Sequence, residues 1–408
     1  MKDFLEDLML DLQSGKRLLP VNPLNAGLPP GEATTDRIVG VKLSLVYLPL
    51  HSAISDAKVL AGRQKPLTEI AFLFCELKSE QGFEGVGYSY SKRAGGPGQY
   101  AHACEIADAI LGEDPNDIGR LWEKLNWAGA SVGRSGLATQ ALAAFDIALW
   151  DMKARRANLP LAKLLGAHRD SVRCYNTSGG YLSMEISEVK DRVSMALEQG
   201  IGAVKLKVGQ PDPMIDLQRI EAVRDHVGGN VPLAIDANQQ WDRTTALRFG
   251  RIAEQFNLTW IEEPLDAYDA EGHAMLAREL ATPIATGEML TSVAEHYELI
   301  RNDSVDFIQP DAPRVGGITP FLKICALADH KNLQLAPHYC MEIHLHLTAA
   351  YSREPWVEHF EWSEAMFEHK LEVLEGRMIV PNRPGLGLTL SGQMRAWTKE
   401  SASFGKGF

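Results

Sequence analysis

Beyond Ser171 the chain repeats one unit, a short apolar run followed by a segment with helical spacing. The runs are CYNTSG, VKLKVG, PLAIDAN, LTWIEEP, TPIATGE, VDFIQPD, LQLAPHY and PWVEHF. Strands that alternate with helices pair in parallel through right-handed crossovers, and eight of them close on themselves. With seven helical segments between eight strands, the expected fold class is α/β, a modified (β/α)7β TIM barrel. In a barrel the active site lies at the C-terminal ends of the strands, so the residues that end each run carry the functional information.

From the second run onward every one of those ends is ionisable: Lys205 and Lys207, then Asp236, Glu262, Glu288, Asp311, His338 and Glu358. Asp236, Glu262 and Glu288 recur at a constant interval of 26 residues, one βα unit, so three carboxylates should converge from neighbouring strand tips. Oxygen ligands without His or Cys suit a hard cation, and one Mg²⁺ per subunit is the expected cofactor. A single strand-end acid could equally cap the next helix, but three in register would repel one another without a cation.

Lys205 and Lys207 lie two apart on one strand and so share a face towards the barrel mouth. Lys205 is placed to hold the carboxylate of a substrate. A second ammonium and a nearby cation would favour the neutral form of Lys207, fitting it to act as a base. His338 follows the strand next to the one ending in Asp311, so a carboxylate can fix its tautomer and raise its basicity. Lys207 and His338 would then face each other across the mouth. Asn238 is expected on the same face as Asp236, towards a substrate hydroxyl. Glu358 is expected to reach the reacting carboxylate as a neutral acid, with Glu361 as its weaker rival. His344, His346 and His359 read as structural, and Glu263 and Asp306 as capping or ion-pair partners.

The 408 residues, 45% of them hydrophobic, exceed what one barrel needs, and a second domain is expected. Residues 1–37 read as an arm rich in Pro and Gly towards its end. Residues 38–165 read as an α+β capping domain, beginning with the strand-like stretches VGVKLSLVYL, EIAFLFCELKS and FEGVGYSY. The barrel then spans 166–377, and 378–408 returns to the capping domain. A net charge of -12 argues against nucleic acid as a partner. No apolar run is long enough to cross a bilayer and the acidic start lacks a signal-peptide pattern, so a soluble cytoplasmic protein without a membrane partner is expected. The five cysteines, Cys75, Cys104, Cys174, Cys325 and Cys340, are scattered and read as reduced thiols. Against that acidic background, Lys58 in SDAKVL and the Lys92–Arg93 pair in YSKRAGGPG stand out as cations for the far end of a diacid.

The KxK pair, the Asp, Glu, Glu series, the Asp311/His338 dyad and the late Glu358 together resemble the mandelate racemase subgroup of the enolase superfamily, over Ile38 to Gly392. The muconate-cycloisomerase-like branch would carry a lysine where this chain has Asp311. The resemblance implies the superfamily's known mechanism, a Lys or His base with Mg²⁺ holding an enediolate. Within the subgroup, SDAKVL, SYSKRAGGPGQ, DANQQWD, TGEMLTS and PDAPRVGGITPF are similar to acid-sugar dehydratases, which adds Asp56 to the substrate-binding set. The activity so implied is removal of the proton beside one carboxylate of a six-carbon aldaric acid and loss of the neighbouring hydroxyl, with epimerisation as a possible companion. Alternatives are another hydroxy acid in the same site, glucarate-like or mandelate-like, and a non-catalytic sugar-acid binding protein. Barrels of this kind commonly self-associate, and a homo-oligomer is expected.

Overall fold

The computed structural model describes residues 36–177 and 180–408; the arm expected over 1–37 lies outside them except for Asp36 and Arg37. Three antiparallel strands, β1 (Ile38–Ile54), β2 (Leu67–Ser79) and β3 (Glu84–Lys92), open the described chain. β2 is a nearly unbroken apolar run because both of its faces are buried. Phe72 and Phe74 join one core with barrel residues such as Phe321, Tyr339 and Ile343, whereas Leu73, Cys75 and Leu77 join another with the helices Gly96–Ile106, Ile118–Ala128 and Leu137–Arg156. The longest of these helices lies directly on β3. A Cβ at Gly87 would stand 2.2 Å from the Ala144 carbonyl oxygen, so only glycine allows that approach.

The eight expected barrel strands are all present: β4 (Ser171–Asn176), β5 (Ala203–Lys207), β6 (Leu233–Asp236), β7 (Ile261–Glu262), β8 (Ile284–Thr286), β9 (Phe307–Ile308), β10 (Gln334–Leu335) and β11 (Trp356–His359). They pair in parallel from β4 through β10, and β11 pairs in parallel with β4 from the other side. Among the described residues no ladder joins β10 to β11. The barrel floor is a layer of Tyr175, Trp260 and Trp356 interleaved with Ala203, Ala234, Ala285 and Ala336. Trp260 meets Tyr175 edge to face, with ring centroids 5.2 Å apart.

After the barrel a hairpin of β12 (Val373–Leu374) and β13 (Arg377–Ile379) lies along β4, so residues 378 and 379 still belong to the barrel sheet. The chain then returns to the first sheet, where β14 (Thr398–Gly405) pairs antiparallel with β1 and sets the order β14-β1-β2-β3. The five cysteines form no disulfide. No described helix is long and apolar enough to cross a membrane.

Candidate active site

Helix capping is performed by acids other than the three at constant interval. Asp212, Asp242 and Asp269, with Ser292, accept the first free N–H groups of the helices that follow β5, β6, β7 and β8. Asp236, Glu262 and Glu288 instead bring carboxylate oxygens within 4.8 Å of one another, and all three are buried. Lys207, Asp236 and Glu262 sit side by side in the ladders, but Glu262 pairs with Ala285, so Glu288 reaches the cluster from two residues beyond the end of β8. Asn238, Gln239 and Glu263, just past these tips, adopt positive φ. The left-handed turns re-aim the chain as soon as Asp236 and Glu262 have been presented. Asn238 therefore reaches the site from a turn and not from the strand face, as the spacing had suggested. Its Nδ2 donates to Asp236 Oδ2 at 3.3 Å, while its buried Oδ1 has no protein partner. A set of oxygen donors alone, with an amide oxygen beside them, fits Mg²⁺.

Lys205 is only 1% exposed and lies beneath the carboxylates, 2.5 Å from Glu262 Oε1, 2.9 Å from Glu358 Oε1 and 3.8 Å from Asp236 Oδ2. Like Asp236 and Glu262 it is not part of the cavity lining, and its ammonium pairs with the ligand cluster. The expectation of a neutral Glu358 fails. Burial alone would raise its pKa, but the Lys205 ammonium outweighs burial and holds it at about 2. Thr177 Oγ1 and the Tyr339 N–H also donate to it, at 2.6 and 2.7 Å. Lys207 departs from expectation in the same way. Burial lowers its pKa, but Asp236, in direct contact, more than offsets this and raises it, so among protein groups alone Lys207 carries its proton.

On the opposite side of the mouth His338 Nδ1 is 2.8 Å from Asp311 Oδ2, the expected pair. Burial works to raise the Asp311 pKa, and the hydrogen bond with His338 reverses the shift. Glu288 Oε2 lies 3.4 Å from His338 Nε2. Lys92, expected at the far end of a substrate, is instead 3.2 Å from the same Nε2, and burial lowers its pKa.

A cavity of ≈ 470 Å³ opens above these groups, lined by Lys207, Asn238, Glu288, His338 and Glu358 below and by Asp56, Lys58, Lys92 and Arg93 from the first sheet and its loops. Asp56 caps the one-turn helix Ala57–Leu60 and accepts from Arg93 Nη2 at 3.0 Å, while Arg93 Nε donates to the Lys65 carbonyl at 2.7 Å. Asp56 thus ties two loops together. A larger cavity of ≈ 760 Å³, between the helix Ile186–Glu198 and the segment after β11, contains none of this set. His344 and His346 accept backbone N–H groups of Ala312 and Ala162, as structural histidines should. Asp306 accepts from Ile284 N, and Glu263 from Gln239.

Two residues escaped the sequence reading. Tyr90 donates to Asp311 Oδ2 at 2.6 Å, and Arg314 lines the cavity one short turn after Asp311. The strand period would have placed Tyr90 on the face of Lys92, two residues on.

Residues 64–166 match the mandelate racemase / muconate lactonizing enzyme N-terminal domain, and residues 188–394 match the enolase C-terminal domain-like family. The L-talarate/galactarate dehydratase of Salmonella typhimurium is 64% identical over 373 residues, 91% of this chain and 94% of that protein. Its crystal structure with Mg and L-lyxarohydroxamate superposes with a TM-score of 0.92, at 63% identity over 93% of this chain and 97% of that one. An L-talarate dehydratase from a Polaromonas species, complexed with Mg and L-glucarate, gives 0.89 at 66% identity, covering 91% of this chain and 100% of that one. A 3,6-anhydro-alpha-L-galactonate cycloisomerase of Streptomyces coelicolor is 33% identical over 86% of this chain and 96% of its own.

Proposed function

The chain belongs to the mandelate racemase / muconate lactonizing enzyme family of the enolase superfamily, and from that premise we propose that it is a magnesium-dependent acid-sugar dehydratase acting on L-talarate and galactarate. The observation that carries the reading is the joint placement of Lys207 and His338 on two sides of three buried carboxylates, under a mouth with Lys58, Lys92 and Arg93. A lone metal cluster would not specify a diacid; Lys58 and Arg93, which line the cavity away from the proton-transfer groups, support one.

Asp236, Glu262 and Glu288 would hold the ion. When bound, Mg²⁺ supplies the positive charge that makes it feasible to remove a proton beside a carboxylate. Lys207 or His338 takes that α-proton, depending on the configuration of the carbon. The other residue protonates the departing β-hydroxyl, which leaves as water, and the resulting enol tautomerises to 5-keto-4-deoxyglucarate. Reprotonation of the α-carbon from the opposite face would give the epimer without net loss of water. Asp311 holds the imbalance of charge on His338 during transfer, and the loops tied by Asp56 and Arg93 cover the mouth and exclude water. Lys205 supplies a counter-charge to Glu262 and Glu358 beneath the ligand cluster.

Five free thiols fit a reducing cytoplasm, and we place the enzyme there as a homo-oligomer, whose mass light scattering would give. The reading is tested by incubating the protein and Mg²⁺ with a library of acid sugars and scoring ketone formation. Turnover of galactarate or L-talarate is expected. Turnover confined to monoacids would overturn the diacid assignment.

A further inference from the structure

Three residues of β3 alternate on the face turned towards the barrel, and each ends on its polar machinery. Tyr88 Oη donates to Glu342 Oε2 at 2.9 Å, Tyr90 Oη donates to Asp311 Oδ2 at 2.6 Å, and Lys92 Nζ lies 3.2 Å from His338 Nε2. Tyr90 Oη is also 3.2 Å from His338 Nδ1, which closes a triangle with Asp311 Oδ2, itself 2.8 Å from Nδ1. We propose that Tyr90 is a positioning residue for the proton-transfer step: its hydroxyl fixes Asp311 and, through it, the ring plane and tautomer of His338.

With Lys92 as the donor to His338 Nε2 and Glu288 Oε2 further off at 3.4 Å, the hydrogen bonds take the following arrangement. An ionised carboxylate only accepts, so the single phenol proton points at Asp311 Oδ2 and cannot serve His338 Nδ1. Nδ1 then carries the ring proton and donates it to the same oxygen. Nε2 is left with its lone pair towards the cavity, where it accepts from Lys92. Among the described residues the other Asp311 oxygen receives the Arg314 N–H, at 3.2 Å, so the short bond from Tyr90 is the tightest restraint on the carboxylate from outside the Asp311–His338 pair. Tyr90 is itself fully buried and packs edge to face on Tyr339, at 4.9 Å between ring centroids. Tyr339 and Cys340 have φ of 56° and 29°, so the backbone just after His338 needs such support to keep an unfavourable conformation. Burial, reinforced by Asp311, raises the phenol pKa and keeps the hydroxyl a donor. Loss of this one proton would let the carboxylate rotate and the imidazole follow, without emptying the space the ring fills.

The inference rests on His338 acting as a proton-transfer group in the reaction proposed above, but one arm of its test does not. In the holoenzyme with Mg²⁺ and no substrate, the Nδ1–H proton of His338 is identified in the ¹H NMR spectrum as the downfield signal missing from His338→Asn. Tyr90→Phe should displace that signal. It should also lower kcat on galactarate or L-talarate by about 10- to 100-fold, the usual loss when a partner that orients a reacting ligand is removed. KM and the unfolding temperature should stay near wild type. A signal that does not move, or an unchanged kcat, overturns the proposal. Where Tyr90→Phe yields little folded protein, 3-fluorotyrosine at position 90 keeps the ring and the bond while making the phenol more acidic. The signal should then shift in step with that acidity, and a fixed signal overturns the proposal. Inertness of the wild type towards every aldarate would instead sink the dehydratase reading and leave the resonance test standing.

Discussion

Replacing Lys205 by methionine removes an ammonium and keeps an unbranched chain of similar volume. The lysine is 1% exposed and contacts Glu262 at 2.5 Å and Glu358 at 2.9 Å, so its loss strands two buried carboxylates at once. Removing one partner of a buried ion pair costs about 3–5 kcal/mol, and two orphaned partners put Lys205→Met at the upper end of that range. Unfolding entropy scaled to the Asp36–Phe408 unit is about 0.8 kcal/mol/K, so the expected fall in unfolding temperature is about 6 °C. Scanning calorimetry in chelator-containing buffer measures it. The double variant Lys205→Met/Glu358→Gln should recover part of the loss, because one stranded charge is gone. A single variant as stable as wild type, or a double variant less stable than the single, would refute the claim that Lys205 is the counter-charge of the ligand cluster.

Asp146 is buried, and burial, only partly offset by its hydrogen bonds with Thr319, raises its pKa to about 7. Between the unfolded value of about 3.9 and about 7 the folded state holds a proton that the unfolded state has released, so stability falls as pH rises through that window, by up to about 4 kcal/mol. Urea titrations at pH 5 and pH 8 should show Asp146→Asn gaining on wild type at the higher pH; a pH-independent difference would refute this. Gly87→Ala forces a Cβ to 2.2 Å from the Ala144 carbonyl oxygen and 2.4 Å from the Ala148 nitrogen, and should cost about 1–3 kcal/mol in denaturant unfolding. Arg93→Met breaks the ion pair with Asp56 and removes a mouth cation, and should raise KM for a diacid by about 10-fold while sparing kcat. Equal effects on diacid and monoacid substrates would show that Arg93 only braces its loop.

The barrel was legible because each strand announces itself as a short apolar run, and because the constant spacing of Asp236, Glu262 and Glu288 matches one βα unit. The Asp311–His338 contact followed from strand adjacency alone. Depth within the barrel was not legible. Lys205 and Lys207 share a strand face, yet one lies under the ligand cluster and the other on the cavity wall, a difference of one pleat that periodicity does not encode. The charged neighbours of these groups were not legible either: the ion pairs of Glu358 with Lys205 and of Lys207 with Asp236 depend on which side chains converge in space. Tyr90 went unnoticed because its partners lie 221 and 248 residues away, in the other layer of the molecule. β14 was foreseen only as a returning tail, since its sequence TKESASFG is polar and an edge strand needs little apolar character.

The central claim is that Lys207 and His338 work from opposite sides of one carbon above a magnesium held by Asp236, Glu262 and Glu288. The most direct test is to assay Lys207→Ala and His338→Asn with galactarate and with L-talarate, and to measure Mg²⁺ binding to each variant by calorimetry. Both variants should bind one Mg²⁺ per subunit as wild type does and dehydrate neither substrate. Dehydration retained by both variants would contradict the claim.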